Sequence, residues 1–248
     1  MTGGMIRAVG RDVAAWPKLP VVDGTGSTLV PGLIDAHVHI FDSAELRQAL
    51  RFGVTTVLDM GASQASPQES RAMRAAARVA SDMSDIRFAG SVATSPGGHG
   101  NESKRASAPT ISTIEDAKPF VAARRAEGSD YLKIMLNGVR TATLGMPNLD
   151  EPRVRALVEA AHAMNLLAVA HVESLDDVTI ALSAGIDGIV HVWRRGGANA
   201  DVVRRTAERG IFVVPVLAIQ DGFLPDGRPS LLADPRFLRV LSNSIIDG

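Results

Sequence analysis

From Leu33 onward, short runs of β-branched and aliphatic residues alternate with longer amphipathic stretches. Hydrophobic periods of two and of about 3.6 residues therefore take turns, the pattern of βα units that build a parallel sheet. Seven runs read as strands: "LIDAHVHI" from Leu33, "VTTVLDM" from Val54, "IRFAGSV" from Ile86, "YLKIML" from Tyr131, "LLAVAHV" from Leu166, "GIVHV" from Gly188 and "IFVVPVL" from Ile211. Helices are expected from near Ser43, Pro67, Thr113, Ser174 and Asn199, and most clearly in "DEPRVRALVEAAHAMN". There Asp150 is placed to cap, Pro152 suits the first turn, and Val154, Leu157, Val158 and Ala161 share one face. Gly53, Gly185 and Gly210 each separate a helical stretch from a strand, where a left-handed closure is expected. The order predicts an α/β chain of the TIM-like (β/α) barrel type, with seven of the eight strands that close such a barrel.

Two regions depart from the alternation. Before Leu29, "IRAVG" and "PVVDGTGST" suggest short strands and turns outside the barrel. After the third strand, "SPGGHGNESKRASAPTIST" reads as a long loop on the face where barrel enzymes assemble their chemistry. Beyond the seventh strand the sequence continues only through a loop and the start of a helix. Seven strands leave two edges unpaired, which invite association, so self-assembly into a homo-oligomer is an expectation.

Composition narrows the partners. The 248 residues are 46% hydrophobic and 21% charged, which suits a globular chain with a large core. Lys plus Arg (26) nearly balances Asp plus Glu (27) with no basic block, so neither nucleic acid nor a membrane surface is expected as a partner. No apolar run approaches the roughly 18–20 residues of a membrane span, and the first residues lack the apolar core of a signal peptide. A cytoplasmic location is expected. With no cysteine, disulfides and thiolate sites are excluded, leaving His, carboxylate or modified Lys as metal ligands.

The chain has six histidines, and two of them stand one residue apart. Alternation along a strand sends His37 and His39 to the same side, where both could grip one ion or simply make polar contacts. His171 ends the fifth strand run and His191 lies in the sixth, at the same edge. Lys133 sits in the apolar fourth strand, where an unpaired ammonium would be costly. A snorkelling or salt-bridged lysine is the plainer reading; a neutral amine that adds carbon dioxide to become an anionic metal ligand is the sharper one.

Taken together, "LVPGLIDAHVHI", "FGVTTVLDMG", "LKIMLNG", "VRALVEAAHAMNLLAVAHV" and "ALSAGIDGIVHV" resemble, in order and spacing, the metal-dependent amidohydrolase superfamily, nearest its imidazolonepropionase and prolidase-like branch. The resemblance runs from about Leu29 to Leu217. It implies that His37 and His39 hold the more buried metal, that Lys133 is the carboxylated bridge, and that His171 and His191 hold a second metal. It further implies one or two divalent ions, usually zinc, and hydrolysis of C–N bonds in amides, cyclic amides or dipeptide-like small molecules by a metal-activated water. Such enzymes carry a proton-shuttling aspartate at the end of an eighth strand, which this sequence does not reach, so the catalytic residue is unassigned. Residues 1–29 are then read as the remnant of a β-rich segment and residues 30–248 as the barrel, the whole being an internal piece of a longer enzyme. A non-catalytic relative kept for binding or assembly is the alternative.

His99, among the glycines of "SPGGHG", could meet substrate, and Arg140, after the fourth strand, could recognise a substrate carboxylate. His162 is assigned to the barrel exterior. Asp59 is read as loop-ordering, Asp35 as structural beneath the metal, and Asp221 as a poor substitute for the missing aspartate. Arg124, Arg194 and Arg204 are taken as ordinary solvated charges.

Overall fold

The computed structural model of the chain describes residues 5–10, 20–61, 66–100, 109–137, 146–217 and 235. The chain divides into two units, Met1–Pro31 and Gly32–Gly248. In the first, the described residues are exposed and carry one turn: the Thr25 backbone N–H and hydroxyl donate to Asp23 Oδ1 at 2.9 and 2.7 Å, and Ser27 N–H closes on Gly24 O at 2.9 Å.

In the second unit, strands and helices alternate among the described residues: β1 Leu33–Val38, α1 Ser43–Arg51, β2 Val54–Asp59, α2 Pro67–Val79, β3 Asp85–Phe88, α3 Ala117–Glu127, β4 Tyr131–Met135, α4 Glu151–Ala163, β5 Leu167–His171, α5 Leu175–Ala184, β6 Gly188–Val190, α6 Ala200–Glu208 and β7 Phe212–Val214. The helices start where side chains can satisfy their free N–H groups. Asp42, Ser66, Asp150, Ser174 and Asn199 each accept from a backbone N–H of the first turn, and Gly185 (φ 87°) closes α5 in the left-handed conformation.

Every strand pairing is parallel and follows chain order, β1–β2–β3 and β4–β5–β6–β7. The two sheets are stitched by an Ala93–Ile134 bridge, in which Ala93 N–H donates to Lys133 O at 2.8 Å and Met135 N–H to Ala93 O at 2.9 Å. Side-chain alternation then separates two cores. Leu132, Ile134, Ala168, Ala170 and Ile189 face outward and pack with helix residues such as Phe120, Leu157 and Leu182. Tyr131, Val169 and Val190 face the other way and cluster with Met60 and Ala89. The sheet curls around this second face. On a flat sheet five strand spacings of about 4.8 Å would hold β1 and β6 on the order of 24 Å apart, yet the ring of His37 on β1 lies 4.7 Å from that of His191, directly after β6.

Three strands end early where the backbone turns left-handed. β3 stops at Phe88, just before Gly90 (φ 73°); β6 stops at Val190, before His191 (φ 72°); β7 stops at Val214, before Val216 (φ 51°). A left-handed residue cannot continue an extended ladder, whatever its side chain. The helix expected from Thr113 begins with a 3-10 turn, Ile114–Asp116, before α3. No helix among the described residues is long and apolar enough to cross a membrane.

Candidate metal centre

Strand alternation delivers the first ligand candidates. On β1 and just beyond it, Val38 and Ile40 pack with Leu46 and Val57 on the helix side, so His37 and His39 turn to the interior. Their rings stand 5.3 Å apart. The His37 backbone N–H donates to Asp35 Oδ1 at 3.1 Å, and Asp35 is exposed rather than enclosed beneath the site as expected, because this part of β1 faces solvent. His39 Nδ1 lies 3.1 Å from Gly61 O. A carbonyl only accepts, so Nδ1 carries the proton and Nε2 keeps its lone pair for another partner.

Lys133 lies on the same side of β4 as Tyr131 and is opposite Val169, both members of the interior cluster. It is 1% exposed. His171 is the last residue of β5 and buried. His191 follows Val190, which already faces inward, so regular alternation would aim it at the helices. Its left-handed backbone turns the ring back inside, 4.5 Å from His171 and 4.7 Å from His37. Such strain at a strand end is a frequent mark of a functional site. His99 joins the group half-buried, its ring 5.1 Å from that of His171. Gly98 makes that approach feasible: a Cβ there would meet Thr94 Oγ1 and Ser95 Oγ at 2.6 Å.

The cluster stays neutral well below the usual range of histidine. Burial, reinforced by Lys133 and the neighbouring rings, lowers His37 to about 2; burial, His171 and Lys133 lower His191 to about 3. Burial lowers His171 to about 4 against the opposing pull of Glu173, and it also lowers His39. Burial brings Lys133 down to about 7, with Asp59 opposing. Strand alternation turns the Lys133 side chain to the interior side, where the imidazoles also lie.

The donor set fits a divalent ion. Two imidazoles bound to one ion at about 2.0–2.1 Å have ring centres on the order of 5 Å apart, the spacing found here. His37 Nδ1 is buried with no hydrogen-bond partner, and His39 Nε2 is left free by its Gly61 contact. Neutral imidazoles with lone pairs to spare are good ligands for zinc and similar ions. Among the described residues, no three His, Asp or Glu side chains are already arranged as a finished cage.

The remaining expectations divide. His162 is exterior, its Nε2 2.8 Å from Asp187 Oδ2. Asp59 is buried; its Oδ1 accepts from Ile40 N–H at 3.3 Å, which orders the loop after β1, and its charge also acts on Lys133. Arg204 is solvated, as expected. Arg194 is exposed as well, as expected, but Arg124 is not an ordinary solvated charge. Arg124 is buried against Glu127 at 2.6 Å and over the Phe120 ring, because the sheltered end of α3 covers it. Arg194 pairs with Glu173 at 2.7 Å beside His171. Glu173 itself was missed in the sequence; its only signal is a carboxylate two residues beyond a candidate ligand. Arg140 and Asp221 lie outside the described residues.

A parallel βα sheet curled so that strand-end imidazoles meet beside a buried lysine is the architecture of a (β/α)-barrel enzyme. The Amidohydrolase family model matches residues 28–224, and the chain belongs to that family. It is similar to the crystal structure of an amidohydrolase, at 22% identity and TM-score 0.72 over 88% of this chain and 60% of that one. A prolidase complexed with N-methylphosphonate-L-proline is similar at 22% identity and TM-score 0.70, over 92% and 64%. A Xaa-Pro dipeptidase with methionine bound in its active site follows at 21% and 0.63, over 85% and 60%. The chain thus spans about 60% of the length of such structures, and the likeness establishes an incomplete TIM-like barrel. No curated protein matches the sequence.

Proposed function

We propose that this chain carries the metal centre of a hydrolase acting on C–N bonds of amides, cyclic amides or dipeptide-like small molecules. The observation that supports it most is the meeting of His37, His39, His171 and His191, from three separate strand ends, beside the buried Lys133. His37 and His39 would hold one ion, His171 and His191 a second, with Lys133 between them. When bound, one or two divalent ions, zinc by the nature of the donors, would activate a water and polarise the scissile carbonyl.

The chain's own groups prepare that site. Neutral rings present lone pairs without first losing protons, and the inward turn of His191 brings its ring within reach of donors from β1 and β5. Lys133 is carboxylated: its neutral Nζ attacks the carbon of carbon dioxide, the N–C bond forms as one C=O π pair moves onto oxygen, one of the nitrogen's protons passes to water, and an anionic carbamate results. A lowered amine pKa favours that step. His99, beside His171, contacts the substrate, and Arg140 recognises a carboxylate on it.

Metal analysis tests the reading. Protein stripped with a chelator and dialysed against zinc should retain one or two equivalents, and His37→Ala together with His39→Ala should lose at least one. With ¹³C-bicarbonate present, a carbamate carbon resonance should appear and vanish in Lys133→Met. Folded wild-type protein that retains no zinc, cobalt or manganese sinks the proposal.

A further inference from the structure

Glu173 stands two residues beyond His171, on the loop leaving β5, and its side chain is mostly buried. One of its carboxylate oxygens, Oε1, lies 3.5 Å from His171 Nε2; the other accepts from Arg194 Nη2 at 2.7 Å. The backbone around it is pinned. Glu173 N–H donates to the fully buried Asp177, Arg194 N–H donates to Glu173 O at 3.1 Å, and Leu175 N–H donates to Arg195 O at 3.0 Å. The loops following β5 and β6 are thereby zipped together beyond the left-handed turn at His191.

We propose that Glu173 is a positioning residue: its Oε1 accepts the Nε2–H of His171, fixing the tautomer in which Nδ1 holds the free lone pair, while Arg194 anchors the other oxygen. A carboxylate can only accept, and a neutral imidazole has a single N–H. Placing a bare Nε2 lone pair against that oxygen, away from water, would set two electron-rich atoms face to face with nothing to screen them. Arg194 holds the far carboxylate oxygen at 2.7 Å, and His171 is enclosed beside the near one. The 3.5 Å gap exceeds the roughly 2.7–3.2 Å of a finished N–H···O bond, but His171 Nε2 is buried with no hydrogen-bond partner, and Glu173 Oε1 is the acceptor facing it. Ligand histidines are commonly oriented this way by a carboxylate on the far nitrogen. The tautomer stands on these contacts alone; the use of Nδ1 as a ligand rests on the metal-centre reading.

The test is a long-range ¹H–¹⁵N correlation spectrum of histidine-labelled, chelator-treated chain at pH 7.5, with His171 assigned by its loss in His171→Asn. Wild type should show His171 as the Nε2–H tautomer. Glu173→Ala should move it to a mixture and weaken zinc binding about 10- to 100-fold, with circular dichroism unchanged. An Nδ1–H tautomer in the wild type, or one indifferent to Glu173→Ala, overturns the proposal. Should Glu173→Ala not fold, the wild-type spectrum decides. An Nε2–H ring in protein that binds no metal would support the positioning role while sinking the proposed function.

Discussion

Burying an ammonium costs several kcal/mol unless a partner or a shifted pKa relieves it, and Lys133 is almost wholly enclosed. Its folded pKa of about 7 lies below the ordinary 10.5. Below about 7 the folded chain therefore bears the full cost of the buried charge, and the cost fades as pH rises towards 10.5. A residue so placed is poor for stability and suited to reaction, which argues for a chemical role. Lys133→Met keeps the volume and removes the charge. In metal-free protein at pH 6.5 it should raise stability by about 1–4 kcal/mol, which is about 2–16 °C in melting temperature for a domain of this size. The gain should shrink by pH 10. Thermal melts at both values check it; a lower melting point for the variant at pH 6.5 would mean that Lys133 is held by pairing strong enough to offset its burial.

At the scale of the element, the end of β6 decides whether the centre forms. A left-handed conformation costs an L-residue roughly 1–2 kcal/mol, and His191 adopts φ 72°. His191→Gly and His191→Ala should weaken zinc binding alike, since both remove the imidazole. The glycine variant should nonetheless melt higher than the alanine variant by about 2–4 °C, equivalent to about 1 kcal/mol of relieved strain. Equal melting points would show that the turn carries no strain. This turn also marks the limit of what the sequence discloses. The βα order, the cap at Asp150, the helix start near Ser174 and the strand-end positions of His37, His39 and His171 were legible because they follow from local periodicity. The strand readings at "GIVHV" and "IFVVPVL" ran too long because apolar character continues past Val190 and Val214 while the backbone turns left-handed. Glu173 and Arg194 escaped for a different reason: their pairing spans 21 positions and joins two loops, and no local pattern encodes it.

For the molecule as a whole, a cluster of neutral imidazoles couples folding to protons. In the folded chain His171, His191 and His37 take up protons only near 4, 3 and 2, whereas each does so near 6.5 once unfolded. Between pH 6.5 and 4 the unfolded chain holds more protons, so stability falls as the pH is lowered; the contribution is complete above 6.5. Each such group adds at most about 1.4 kcal/mol per pH unit. Solvent screening of the less buried rings reduces the joint slope to on the order of 2–3 kcal/mol per unit. Urea unfolding of chelator-treated protein at pH 7, 6 and 5 should show the midpoint dropping at each step, and the drop should be smaller in His37→Ala and His191→Ala. Most carboxylates titrate below this window, so they do not mimic the effect. A midpoint unchanged between pH 7 and 5 would mean that His37, His171 and His191 are open to water in solution. The enclosed ligand cluster would then not exist there.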